Sequence, residues 1–297
     1  NLGSATNSLA IGSGTLQTTG SFSSPRAVSL TGAASINTNS ATNLTLTSPI
    51  TGSGSLTKQG LGTLILSPTS ASTYTGGTTI SADWLQIQSD AALGKAATKV
   101  TMADGSTLSV TVPATPGIIA SNRSFVLQGA ATFNITTLAP DTTPTTFVIG
   151  GSISGGGQLI KTGDQTLFLL GTNSYSGGTL VNAGILAGDT SSLQGNIMVN
   201  NPATLVFLQV ASGTYSGSLS GDGTLQIGNL STSPFPLVSF SGNSSGFTGP
   251  TQILTSGVLA VNGSLANSPF TISAGGLLQG TGTTGSIDNS GTVQSRN

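Results

Sequence analysis

The chain has no cysteine, no histidine and no glutamate, and charged residues fill only 5% of its 297 positions, against roughly 25% in an ordinary globular protein. Each absence closes a class of chemistry. Without histidine there is no Ser-His-Asp or Cys-His machinery and no histidine-based metal site. Without cysteine there are no disulfides, thiolate nucleophiles or iron–sulfur clusters. The seven bases (Arg26, Lys58, Lys95, Lys99, Arg123, Lys161 and Arg296) are scattered and the net charge is -1. No basic patch can neutralise a run of phosphates, so nucleic acid is not expected as a partner. With no Glu and little Lys or Arg, the usual helix formers are missing as well. No apolar run approaches the length of a membrane-spanning helix. Asn1-Leu2-Gly3-Ser4 lacks the basic start and apolar core of a signal peptide, which reads as a mature product or an excised segment.

What fills the chain instead is Gly (43), Thr (46) and Ser (44). Such a composition can mean a flexible linker, but the apolar fraction is 36% and the mean hydropathy is +0.23, neither of which suits a disordered segment. The apolar residues come in short bursts such as Leu64-Ile65-Leu66, Leu85-Gln86-Ile87 and Phe147-Val148-Ile149. Roughly two dozen bursts, bounded by Gly, Asn, Ser, Asp or Pro, recur about every 10–13 residues, the rhythm of an all-β sandwich, barrel or solenoid.

Internal repetition decides between these. Gly54, Leu56, Lys58, Gly60, Thr63, Leu64 and Leu66 recur, displaced by 103, as Gly157, Leu159, Lys161, Gly163, Thr166, Leu167 and Leu169. Tyr74-Thr75-Gly76-Gly77-Thr78 answers to Tyr175-Ser176-Gly177-Gly178-Thr179, and a weaker third copy runs from Gly221 through Phe247 to Leu259. Repeats of this kind predict a β-solenoid, because one coil cannot bury its apolar face alone and a stack can. At about 20–25 residues per coil the chain makes roughly 12–15 coils, a rod of about 60–70 Å. One continuous domain over 1–297 is expected, with repeat-like segments near 52–94, 155–188 and 221–262. Loops are expected near 111–122 and 139–146, where prolines cannot donate to a ladder. Asp90-Ala91-Ala92-Leu93-Gly94 suits a single helical turn.

The repeat resembles the passenger-associated transport repeat of Gram-negative autotransporters, whose form is G-x-G-x-L-x-K-x-G-x-G-T-L-x-L-x-G-x-N-x-Y-x-G-G-T. Residues 52–80 follow it except over Ser67 to Thr73; residues 155–181 follow it except at Asp164-Gln165. The C-terminal run Leu277 to Gly285 and Asn289-Ser290-Gly291-Thr292 is similar too. The resemblance implies a right-handed parallel β-helix, exported through the outer membrane and displayed extracellularly at the bacterial cell surface. The membrane barrel that follows a passenger in that family is not in this chain. The absence of cysteine suits such a route, since disulfides would hinder threading of an unfolded chain.

Several residues invite a functional reading. Lys58 and Lys161, at equivalent positions, are expected to be solvated corner residues, with acidic-glycan binding as the alternative. Tyr74, Tyr175 and Phe247 are expected to stack in the core at one corner rather than to form a sugar platform. Trp84, the only tryptophan, is expected to pack, with ligand contact left open. Gly280-Thr281-Gly282-Thr283-Thr284-Gly285 matches G-x-G-x-x-G but precedes no helix, so no dinucleotide site is expected. Gly155-Gly156-Gly157 and Gly221-Asp222-Gly223 lack the tandem Asp-bearing copies of a calcium-binding β-roll. The six Asn-x-Ser/Thr sites are about as many as chance gives for this composition. The aspartates are dispersed, leaving only a distant pair such as Asp141 and Asp164 for a hydrolase or lyase.

No residue is therefore assigned a catalytic, cofactor-binding or metal-ligating role, and no cofactor is expected. The expected function is a non-enzymatic surface or secreted passenger segment, acting as an adhesin or a rigid stalk toward surface glycans or proteins of a host or neighbouring cell. A self-associating subunit of an extracellular filament or sheath is the alternative, joined end-to-end or side-by-side, since charge is the usual guard against such contacts. A polysaccharide lyase or hydrolase and a Thr-rich ice-binding face are remoter readings; Thr45-x-Thr47 does not recur at a fixed spacing.

Overall fold

A computed structural model describes residues 2–3, 7–112, 118–137, 145–231 and 235–295. Among these every strand pairing is parallel, and the only helical element is the 3-10 turn Asp90–Leu93. The strands stack as a β-solenoid of about 13 turns. At a coil spacing of about 4.8 Å the rod is roughly 60 Å long.

Each turn visits three faces in the same order. The first face begins with Leu9–Ile11, Val28–Leu30 and Ile50–Gly52 and resumes as a nine-stranded ladder from Ile118–Ser121 to Ile287–Asn289. The second holds seven strands from Thr15–Thr18 to Ile153–Ser154, then five from Gly213–Tyr215 to Thr292–Ser295. The third runs through eleven strands from Phe22–Ser24 to Gly246–Phe247, crosses the Asn243–Ser264 bridge, and ends with Ser264–Leu265 and Thr283–Thr284. Successive coils differ in length: Thr179 pairs with Ile197, 18 residues on, whereas Ala131 pairs with Leu159, 28 residues on.

Alternation at period two puts one apolar set inside. On the third face Leu44, Leu64, Leu85, Leu108 and Phe133 lie in register on five successive coils, all fully buried. Each such side chain contributes about 1.5–3 kcal/mol by leaving water. Aromatic rings fill wider sections: Phe207 meets Tyr215 and Phe240 with centroids 5.3 and 5.1 Å apart.

The loops expected at 111–122 and 139–146 are shorter than the prolines suggest. Thr111 and Val112 close the strand Ser106–Val112, Ile118–Ser121 is a strand, and Thr146 opens Thr146–Ile149. A strand can run up to a proline without losing a ladder bond, since only the proline itself lacks a donor. Residues 113–117 and 138–144, with Pro113, Pro116, Pro140 and Pro144, lie outside the described residues. The 3-10 turn falls where expected, at Asp90–Leu93. More strands form than two dozen bursts announce, because two-residue strands such as Ser264–Leu265 are too short to show alternation.

Candidate ligand-binding surface

The repeat is built around a buried lysine, not a solvated one. Lys58 continues the alternation of Leu56, so it points inward, in register between Ile36 and Ile80. Lys161 does the same between Phe133 and Val181. Both are fully buried. Lys58 Nζ donates to the carbonyl oxygens of Gln59 (3.0 Å), Gly60 (2.9 Å) and Ala82 (3.3 Å). Lys161 Nζ repeats the cage with Thr162 (2.7 Å), Gly163 (2.9 Å) and Ala183 (3.1 Å). Two of the three carbonyls come from the lysine's own corner, where Gly60 and Gly163 adopt φ of +77° and +76°, a region open to glycine at little cost. The third belongs to the next coil, so each ammonium ties neighbouring coils. Three acceptors match its three protons. Burial lowers Lys58 to about 8 and Lys161 to about 7, against the pull of Asp83 and Asp164. Both sequence readings of these lysines, solvated corner and acidic-glycan contact, are thus corrected: the amines are inside the rod and face no ligand.

The aromatic position of the repeat packs as expected. Tyr74 and Tyr175 are buried, and each hydroxyl meets a threonine Oγ1 four residues on, Thr78 or Thr179, at 2.7 Å. Phe247 is equally buried, and its threonine, Thr251, meets Ser268 Oγ instead at 2.7 Å. Each of these segments also marks a break in a different ladder. Around Tyr74 the first face carries no strand, only bonds such as Thr73 N to Ile50 O (2.8 Å) and Lys95 N to Tyr74 O (2.9 Å). Around Tyr175 the second face is interrupted, held by Ser174 N to Ile153 O (2.8 Å). At Phe247 the eleven-stranded ladder of the third face ends.

Sequence reading missed Arg123 altogether. It is buried and clamps the segment that replaces a strand on the first face. Nε meets Asp90 Oδ1 at 2.8 Å, Nη1 meets Lys95 O (2.8 Å) and Thr98 Oγ1 (2.7 Å), and Nη2 meets Gly94 O at 2.8 Å. Nothing local in Asn122-Arg123-Ser124 signals this, since every partner lies on an earlier coil.

Three aspartates are spent on turns. Asp104 Oδ1 accepts from Ala130 N (2.7 Å), Asp222 Oδ1 from Asn201 N (3.0 Å), and Asp189 Oδ1 from Ser191 and Ser192 N (2.9 Å each). Asp141 lies outside the described residues, so its pairing with Asp164 is not defined; Asp164 itself accepts from Gln165 Nε2 at 3.1 Å. Among the described residues no group of three His, Cys, Asp or Glu is placed to hold a metal ion. Gly280 ends the strand Leu277–Gly280, Gly282 lies in the corner before Thr283–Thr284, and Gly285 follows that strand. A threonine ladder does exist, though not at Thr45: Thr57, Thr79 and Thr101 stand in register on three coils of the second face.

Trp84 is the departure on the outer surface. Leu85 and Ile87 face the core, so Trp84 and Gln86 face outward, and Trp84 is 38% exposed. The expectation that it packs in the core is overturned by period two alone. A groove of about 460 Å³ runs beside it over three coils of the third face, lined by Asn43, Thr63, Ile65, Asp83 and Gln86 among others.

With the scaffold and this surface in view, the chain falls in the class of parallel β-solenoids built on a recurring lysine–tyrosine coil motif. The family model described as the passenger-associated-transport-repeat matches residues 56–87, 159–187 and 238–261. The third match starts at 238, within the weaker copy read from 221. The chain is 36% identical over 288 residues to the adhesin BmaC autotransporter of Brucella suis biovar 1 (strain 1330), covering 92% of this chain and 8% of that protein. It is 44% identical over 73 residues to an extracellular serine protease of Serratia marcescens, covering 25% of this chain and 6% of that protein. The chain therefore spans less than a tenth of each of these relatives. No solved structure matches. By its repeats and by this alignment the chain is similar to an autotransporter passenger.

Proposed function

We propose that the chain is a non-enzymatic stretch of a secreted or surface-displayed passenger, one rigid domain that holds adhesive contacts for surface glycans or proteins of a host or neighbouring cell. The observation that carries this reading is the alignment of 92% of the chain with part of an adhesin. The fold supports it: parallel coils stacked on three faces make a rod that is stiff along its axis and keeps side chains on its faces at a regular pitch. The match to a serine protease covers a quarter of the chain, and the sequence has no histidine to serve as the base of such a triad. Beads coated with the chain should adhere to epithelial or bacterial cells above beads coated with an unrelated solenoid. Equal adherence of the two would leave only the stalk, and hydrolysis of casein or of a polysaccharide panel would overturn the non-enzymatic reading.

A further inference from the structure

The two strong copies of the repeat share one scaffold and differ on its outside. Counting from Tyr74 and Tyr175, Trp84 corresponds to Ile185, Gln86 to Ala187 and Asp83 to Gly184. Asp83 and Gly184 both adopt a left-handed backbone, φ +50° and +64°. Glycine suits that conformation, and aspartate is among the few residues with a side chain that visit it, so the first copy keeps the turn while adding a carboxylate. Two coils and one coil below, the outward positions are Asn43 and Thr63 in the first copy and Thr146 and Thr166 in the second, each pair in register. The solenoid is complete in the second copy without a tryptophan, an aspartate or the amides, so the fold does not require them.

In the first copy those side chains converge on the groove beside Trp84. Among the described residues, Asn43, Asp83, Gln86 and the Trp84 indole N–H have no side-chain hydrogen-bond partner. An exposed indole face flanked by two unengaged amides and one carboxylate is the donor and acceptor set that fits a pyranose: apolar C–H faces stack on the ring while hydroxyls bridge the amides and the carboxylate. Leu61, 67% exposed at the rim, adds apolar surface. The charge within the groove is negative, and Lys58 turns its ammonium inward, so a neutral sugar is favoured over a sialic or uronic acid. A peptide strand has no edge to join, because Trp84–Ile87 is already paired on both sides, with Thr63–Leu66 and Ser106–Val112.

We propose that this groove is a binding site for neutral saccharide units, with Trp84 as the stacking platform and Asn43, Asp83 and Gln86 as the hydroxyl-binding groups. The proposal rests on the adhesive reading above and gives it a ligand class. Trp84 is the only tryptophan in the chain, so its fluorescence reports on this groove directly. The chain titrated with lactose, cellobiose, mannobiose and N,N′-diacetylchitobiose should show a saturable change with at least one of them. It should show none with sialyllactose, with a galacturonic acid oligomer or with a proline-rich peptide. Asn43→Ala and Gln86→Ala, both of which keep the reporter, should each weaken that binding roughly tenfold. Trp84→Ile with Gln86→Ala, which copies the second repeat, should abolish it by calorimetry while leaving the circular dichroism spectrum and thermal midpoint unchanged. No saturable response to any neutral sugar, a preference for the acidic sugars or the peptide, or undiminished binding by the double variant overturns the proposal. Cell adherence that survives the double variant places adhesion elsewhere on the rod, whereas absent adherence alongside intact sugar binding removes the adhesive reading and leaves the site.

Discussion

The first and second passenger repeats are the same structure set on different walls of the rod. Lys58 lies on the second face and Lys161 on the third; the strand Thr63–Leu66 lies on the third face and its counterpart Thr166–Leu169 on the first. The lysine cage, the left-handed corner glycine and the Tyr–Thr hydroxyl pair survive this rotation with distances within a few tenths of an ångström. The motif therefore does not specify a face. It specifies a way for one coil to lock onto the next where a face loses its strand, and it works on any of the three walls because all of them present the same parallel ladder. What does not survive is the exterior: Trp84 and Gln86 in one copy, Ile185 and Ala187 in the other.

The largest effect should come from the clamp that only the first copy owns. Arg123→Met leaves the Asp90 carboxylate and several carbonyls without their donor, and should cost about 3–5 kcal/mol, measured as a fall in the urea midpoint. The second copy bridges its gap with neutral groups, for example Asn173 Nδ2 to Ser192 O at 2.8 Å. Asn173→Ala should therefore cost less, about 1–2 kcal/mol. Equal losses would break the comparison.

Next in size are the cages. Lys58→Met and Lys161→Met keep the stem and remove the donors, and each should cost about 1–3 kcal/mol. Similar values at the two sites would support a motif indifferent to its face. The native cages also set a pH dependence. Because burial lowers both lysines, to about 8 and about 7, the folded chain binds fewer protons than the unfolded one from about pH 7 up to the ordinary lysine range near 10.5. Stability should rise with pH across that window. Above about pH 10 the trend reverses, since burial raises Tyr74 to about 12 and also raises Tyr175 and Tyr215, so the unfolded chain loses phenolic protons first. Denaturation midpoints from pH 6 to 11 should peak between about 9 and 10, and the double lysine-to-methionine variant should lose the rising limb. A falling limb from pH 7 to 9 in the native chain would refute the sign.

The smallest effects belong to the hydroxyls and the outer surface. Tyr74→Phe and Tyr175→Phe should cost about 0.5–1.5 kcal/mol each. Phe247 is the natural control: there Ser268 satisfies Thr251, so Ser268→Ala should cost a comparable amount. Trp84→Ile should change stability by less than about 0.5 kcal/mol, because the second copy already carries isoleucine in that setting.

Much of this was legible before any coordinates. The repeat spacing announces a solenoid, and the burial of Tyr74, Tyr175 and Phe247 follows from their equivalent places in the repeat. The lysines and the tryptophan depart from expectation for one reason: period outweighs charge and rarity. Lys58 stands two residues from Leu56 and Trp84 one residue from Leu85, which places the first inside and the second outside. The groove itself was not legible, since Asn43 and Trp84 are 41 positions apart and meet only because two coil lengths separate them.

By itself the sequence determined the parallel stack, the coil length and the pieces of the lock, since these follow from local alternation and from glycines where the backbone turns. Only the tertiary structure decided which wall each repeat occupies. The four coils between the copies vary in length, and their sum leaves the second copy one face further round than the first. The same accumulation decided that Arg123 reaches Asp90 and that Trp84 shares a groove with Asn43. Contacts between coils depend on the summed lengths of all the turns between them, and no local segment of the chain carries that sum.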